Sequence, residues 1–212
     1  MAGPTNTNAS LVVENLARRF GHHEVVRDLS LTLEPGERAA LWGPNGSGKS
    51  TVIRCVAGSL LPHGGQVTVG GRTAGTFQAR SLVGVSLSQE RSFYLRLTGR
   101  KNLVLFARLR GQELREARRR VQALEEELEL TEIVNERMDR CSTGMVQQIA
   151  FARSLLGEPS LLLLDEPTRS LDFGAVERLW AAVDRRPSAA VLIATHNNDD
   201  AARCEKRVEL PT

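Results

Sequence analysis

The chain has 212 residues, with 28 Lys or Arg against 25 Asp or Glu, for a formal net charge of +3. That length holds one compact domain with an inserted subdomain and excludes two complete enzymes. At 41% hydrophobic and 25% charged residues the composition is that of a folded soluble protein, and the near balance of charge gives no support to a polycation that neutralises nucleic acid.

Met1 to Ser10 is polar and small, lacks the basic and apolar regions of a secretory signal, and is expected to be a flexible N-terminus. The most apolar stretch, Leu161 to Leu164, is far short of the ~20 residues that span a bilayer, so a membrane role must come through a partner. Cys55, Cys141 and Cys204 are widely separated and form no C-x-x-C pair, which suits a reducing, cytoplasmic setting and offers no zinc site.

Leu11 to Val13 and Val25 to Leu33 read as two strands of an antiparallel edge, with Pro35-Gly36 as a turn. Arg38 to Trp42 is a short apolar strand, followed by a glycine-rich loop and a helix over Ser50 to Gly58. Gln66 to Val69 and Leu82 to Leu87 are further strands. Beyond Tyr94 apolar residues recur at threes and fours, which predicts a mostly helical stretch over roughly 98–156. Within it Arg115, Arg118, Arg119 and Arg120 precede Glu125, Glu126, Glu127 and Glu129, the pattern of a solvated charged face. Leu161 to Asp165 is a continuous apolar run expected of a central parallel strand, and Val191 to Thr195 repeats it after a helix around Val176 to Val183.

Gly43-Pro44-Asn45-Gly46-Ser47-Gly48-Lys49-Ser50 satisfies G-x-x-x-x-G-K-[ST] between a predicted strand and a predicted helix. Such a loop turns successive backbone N–H groups toward phosphate oxygens, Lys49 adds a charge, Ser50 offers a hard oxygen to Mg²⁺, and Thr51, next in the helix, is a further candidate nucleotide-binding residue. The apolar run before Asp165-Glu166 places two carboxylates at a strand end: Asp165 suits a Mg²⁺ partner and Glu166 a base acting on water. His196 ends the next apolar run, where open α/β sheets bind ligands, and the Gln89 amide oxygen follows the Leu82 to Leu87 strand within reach of metal or water.

With these residues in place, the chain resembles the ATP-binding subunit of an ABC transporter from Leu11 to Leu210. Gly43 to Ser50 resembles Walker A, Gln89 the Q-loop, Cys141-Ser142-Thr143-Gly144-Met145 the signature motif, Leu161 to Glu166 Walker B, Ser170-Leu171-Asp172 the D-loop and His196 the switch histidine. Phe20 occupies the place of the adenine-stacking aromatic, with an ordinary core phenylalanine as the alternative. The signature departs from the usual Leu-Ser-Gly-Gly-Gln, sharing only Ser142 and Gly144.

The resemblance implies an α/β fold: a P-loop NTPase core with a mixed sheet, an antiparallel β edge and an inserted helical subdomain near 90–156, the whole ATPase domain covering 11–212. It implies ATP and Mg²⁺ as ligands, with Ser50, Gln89 and Asp165 toward the metal and Glu166, His196 and Gln89 in catalysis. It also implies a nucleotide-closed dimer, more readily homodimeric, in which Ser142 and Gly144 serve the other copy's nucleotide, with Asp172 a further nucleotide-binding residue. An integral membrane permease is expected to contact the region after Gln89, with Phe93, Tyr94 and Leu97 as candidate contacts, which would hold the chain on the cytoplasmic face of the membrane. The variant signature and the run from Gln89 to Gly99 look most like bacterial exporter ATPases with separate membrane subunits. The alternatives are a soluble ABC ATPase in regulation or DNA maintenance, and a weakly catalytic subunit of a heterodimeric transporter.

Overall fold

The structure is a computed structural model that describes residues 9–88 and 92–210, arranged as two compact units. Among these residues no helix is long and apolar enough to cross a membrane.

Among the described residues the first unit comprises 9–83, 160–166 and 188–210. Its strands β1 (Leu11–Phe20) and β2 (His23–Leu33) form one long antiparallel hairpin, joined at Gly21-His22 and pairing Phe20 with His23. The hairpin is longer than the sequence pattern predicts because register shifts near Asn15 and Asp28, both at positive φ, interrupt the two-residue alternation. Pro35-Gly36 instead turns the chain from β2 into β3 (Arg38–Trp42), with Glu37 N donating to Glu34 O at 3.1 Å. Strands β4 (Gly64–Val69) and β5 (Arg72–Thr73) complete a four-stranded antiparallel sheet in the order β2-β1-β4-β5.

After β6 (Val83–Ser86), which starts at the last residue of this unit's first segment, the unit's second sheet runs β7-β8-β3-β9, with β7 at Leu161–Asp165, β8 at Ala190–Thr195 and β9 at Lys206–Glu209. The β7-β8, β8-β3 and β3-β9 pairs are parallel. Every residue of β7 and β8 is buried, which explains why these strands read as unbroken apolar runs. Helix α1 (Lys49–Val56) buries Val52, Ile53, Cys55 and Val56. The antiparallel strands thus have a sheet of their own beside the parallel one. Short helices α2 (Phe77–Ser81) and α7 (Asn198–Ala201) complete the unit.

The second unit, described over residues 84–88, 92–159 and 167–187, is mainly helical: α3 (Gly99–Leu109), α4 (Leu114–Glu127), α5 (Thr143–Ser154) and α6 (Phe173–Asp184), with 3-10 turns at Ile133–Asn135 and Met138–Arg140. Helix α6 groups with these helices although its sequence follows a sheet strand, because Arg186 forks onto Glu127 at 2.7 and 2.9 Å and Arg178 reaches Glu129 at 3.1 Å. The charged stretch is therefore more than a solvated face. Glu125 is buried in a two-point contact with Arg100 at 2.8 and 2.7 Å, and Arg120 donates to Leu155 O at 2.8 Å.

Candidate functional site

The loop between β3 and α1 is shaped by its neighbours. A Cβ on Gly43 would lie 2.7 Å from Ser47 Oγ and 2.9 Å from Leu210 O, and one on Gly48 would lie 2.8 Å from Val25 O. Gly48, at φ 94°, is the N-cap of α1, so the helix begins in a conformation that side-chain-bearing residues rarely adopt. Pro44, Asn45 and Gly46 form the exposed lip, while Ser47, Gly48 and Lys49 are buried. Lys49 Nζ donates to Gly43 O at 2.7 Å and Pro44 O at 2.9 Å, two of its three donors, which folds the ammonium over the loop. Ser50 and Thr51 lie in the first turn of α1.

The end of β7 reaches the same loop. Asp165 is 2% exposed, and its Oδ1 accepts the Ser50 hydroxyl at 3.0 Å. Glu166, 9% exposed, takes φ 49°, and its N–H donates to Ala194 O at 2.8 Å, so the chain leaves the sheet in a strained left-handed step that is pinned to β8. From the end of β8, His196 places Nδ1 2.8 Å from Glu166 Oε1, a spacing at which Nδ1–H donates to the carboxylate. The imidazole is half exposed and the carboxylate is nearly covered, so the pair joins solvent to the interior of the site.

Sequence reasoning missed the support beneath His196. Thr195 Oγ1 donates to the buried Asp200 at 3.3 Å and accepts Asn197 N–H at 3.0 Å, which sets the turn that carries the imidazole. The signal available was the Asn197 helix cap, whose Oδ1 accepts Asp199 N–H at 2.8 Å. Phe20, at the tip of the hairpin, is 49% exposed, which overturns the core alternative for this ring. Gln89 lies outside the described residues.

Ser142, Gly144 and Asp172 lie in the helical unit. Ser142 is the N-cap of α5: its Oγ accepts Met145 N–H at 3.2 Å, and its own N–H points to Met145 Sδ at 3.5 Å, a capping box closed by a thioether. A Cβ on Gly144 would stand 2.5 Å from Ser170 O, so α5 can approach the 168–172 loop only through glycine. Asp172 caps α6, its Oδ1 accepting Ala175 N–H at 2.8 Å. Among the candidate partner contacts, Phe93 is a core residue. It is 6% exposed and meets Phe106 edge to face at 5.8 Å, so burial removes it from any docking surface, while Tyr94 is 55% exposed.

The site's chemistry fits ATP and Mg²⁺. Among the described residues Ser47 Oγ, buried on the loop beside Gly43, has no hydrogen-bond partner, and a phosphate oxygen bound by the loop would supply one. Ser50 and Asp165 bring together a hydroxyl and a carboxylate, hard oxygens of the number Mg²⁺ takes from protein when phosphates supply the rest.

The comparisons with known proteins agree. The family model described as "ABC transporter" matches residues 26–169. The chain is 32% identical to the ABC transporter ATP-binding protein NatA of Bacillus subtilis, over 88% of this chain and 79% of that protein. It is 33% identical to the Nod factor export ATP-binding protein I of Rhizobium johnstonii, over 97% of this chain and 68% of that one. A solved ATP-binding subunit of an ABC transporter superposes with TM-score 0.84 at 29% identity, over 94% of this chain and 85% of the other. The chain spans 79% of the length of NatA, 68% of the Nod factor export protein and 49% of a sulfate/thiosulfate import ATP-binding protein of Synechococcus elongatus, so relatives named for import match in addition to those named for export. A phosphate loop, a strand-end carboxylate pair and a histidine held in this geometry, with matches along nearly the whole sequence, place the chain in the ABC transporter family, as one of its ATP-binding, ATP-hydrolysing domains.

Proposed function

We propose that two copies of this chain close around ATP and Mg²⁺, and that the cycle of binding and hydrolysis powers export through a separate integral membrane partner. The observation that carries the reading is the 2.8 Å contact between His196 and Glu166, set beside the Ser50–Asp165 pair on the same phosphate loop. Glu166 accepts a proton from the attacking water, and His196 holds the carboxylate in orientation. The N–H groups of the loop, with Lys49 and Ser47, take the phosphates. Ser50 and Asp165, with Gln89 of the segment outside the described residues, would hold Mg²⁺, and the ion would supply neutralisation of charge on the transferred phosphoryl group. Phe20 stacks on the base. Ser142 and Gly144 of a second copy, at the N-terminus of α5, add donors to the γ-phosphate, and Asp172 stands with them.

The likeness to Nod factor export proteins supports export, and the long coverage of NatA supports a free-standing ATPase subunit. Tyr94 and Leu97 are the remaining candidates for contact with the membrane partner, which would hold this chain on the cytoplasmic face. Capture of the Glu166→Gln variant from native membranes in mild detergent with ATP and Mg²⁺ tests the assignment. An ATP-dependent dimer, turnover reduced about 10²–10⁴-fold and a co-purifying polytopic membrane protein are expected. Normal turnover would remove Glu166 as base, and recovery of soluble proteins alone would remove the transport role.

A further inference from the structure

Arg18 lies on β1 two residues before Phe20, and its guanidinium carbon stands 4.6 Å from the Phe20 ring centroid. The guanidinium is tethered from the other side: Nη1 donates to Leu61 O at 2.9 Å and meets His63 Nδ1 at 3.0 Å. Leu61 and His63 belong to the segment that follows α1, and His63 N–H also donates to Ala17 O at 2.8 Å. The hairpin is thereby bonded to the segment leaving the helix that the phosphate loop opens, while β2 touches that loop at Gly48 through Val25. One face of the Phe20 ring is covered by a fixed cation, and the side chain as a whole is 49% exposed.

We infer that Arg18 is a positioning residue for the nucleotide base, acting through Phe20: it clamps one face of the ring so that the other is presented, already oriented, to the purine. The inference rests on the reading of Phe20 as the stacking residue. A ring on a hairpin tip would otherwise lose rotamer freedom when the base arrived, and the clamp removes that loss before binding. The attraction between the guanidinium and the π face supplies the clamp, and the carbonyl of Leu61 directs the cation.

The test is a calorimetric double-mutant cycle with ATP and, as a probe of the phosphate loop alone, inorganic tripolyphosphate. Arg18→Ala is expected to weaken ATP about two- to fivefold, the range of a cation–π contact of this kind, and to leave tripolyphosphate affinity unchanged. Arg18→Lys, which keeps a cation near the ring, is expected to recover most of the loss, and Arg18→Ala is expected to add nothing on a Phe20→Ala background. Equal weakening of ATP and tripolyphosphate would show a general charge effect and overturn the inference, as would full additivity with Phe20→Ala. If Phe20→Ala weakens ATP and Arg18→Ala does not, the clamp fails and stacking stands; if Phe20→Ala has no effect, stacking fails and the clamp with it. Melting temperatures of all variants separate these outcomes from loss of the fold.

Discussion

The two central glycines of the phosphate loop isolate one steric contact. Gly46 and Gly48 have nearly the same φ, 88° and 94°, but a Cβ on Gly46 meets nothing within 4 Å, while one on Gly48 lies 2.8 Å from Val25 O and 3.0 Å from Val25 Cγ1. Alanine at either position incurs left-handed strain of ~1–2 kcal/mol, offset by ~0.4–1 kcal/mol from the stiffer unfolded chain. Gly46→Ala should therefore lower stability by about 0.5–1 kcal/mol. Gly48→Ala adds overpacking against backbone that cannot swing aside, a further ~1–3 kcal/mol. In a chain of this size the difference between the variants corresponds to ~2–4 °C in Tm per kcal/mol. Urea denaturation without nucleotide, followed by circular dichroism, gives both values free of any effect on ATP binding. Equal midpoints for the two variants would refute the claim that the approach of β2, and not backbone conformation alone, requires glycine at 48.

The ion pair between α4 and the end of α6 has a pH signature. Arg186, hydrogen-bonded to Glu127, holds that carboxyl below its ordinary 4.5 against the opposing effect of burial. A depressed folded-state pKa means that the stabilisation is complete above the ordinary value and is lost as pH falls through the folded value. Glu127→Gln should flatten this part of the acid limb of a stability–pH curve, and an unchanged limb would exclude the pair as its source. Burial pushes the Cys55 thiol up to about 11 and, with Glu205 adding to it, the Cys204 thiol up to about 12. Native protein at pH 8 should therefore react with iodoacetamide ~100-fold more slowly than an unperturbed thiol at Cys55 and ~1,000-fold more slowly at Cys204, and rapidly at both in urea; mass spectrometry distinguishes the two positions. Leu163, fully buried at the middle of β7, should lose ~2–5 kcal/mol on replacement by Ala in the same urea assay, and a smaller loss would show that the sheet collapses around the gap.

Sequence alone determined the phosphate loop, the buried strands that end at Asp165 and Thr195, and the α/β class, because each is written in local pattern. Glycines at fixed spacing permit only a loop that turns N–H groups inward, and unbroken apolar runs survive only where both faces of a strand are covered. Its reach ended where chemistry depends on residues distant in the chain. The contact between Glu166 and His196 spans 30 positions and exists because parallel pairing puts the ends of β7 and β8 side by side. The long β1-β2 hairpin was hidden by bulges that break alternation, and only pairing across the strands restores its register. Phe93 and Phe20 make the same point in opposite directions: an aromatic residue's type does not say whether it will be packed or presented. Phe93 went into the core because Phe106 met it there, and Phe20 remained half exposed beside Arg18 because it caps the tip of a hairpin. Which charged residues pair and which stay in water was likewise decided by tertiary structure, since Glu127 has a partner only where α6 brings Arg186 to it.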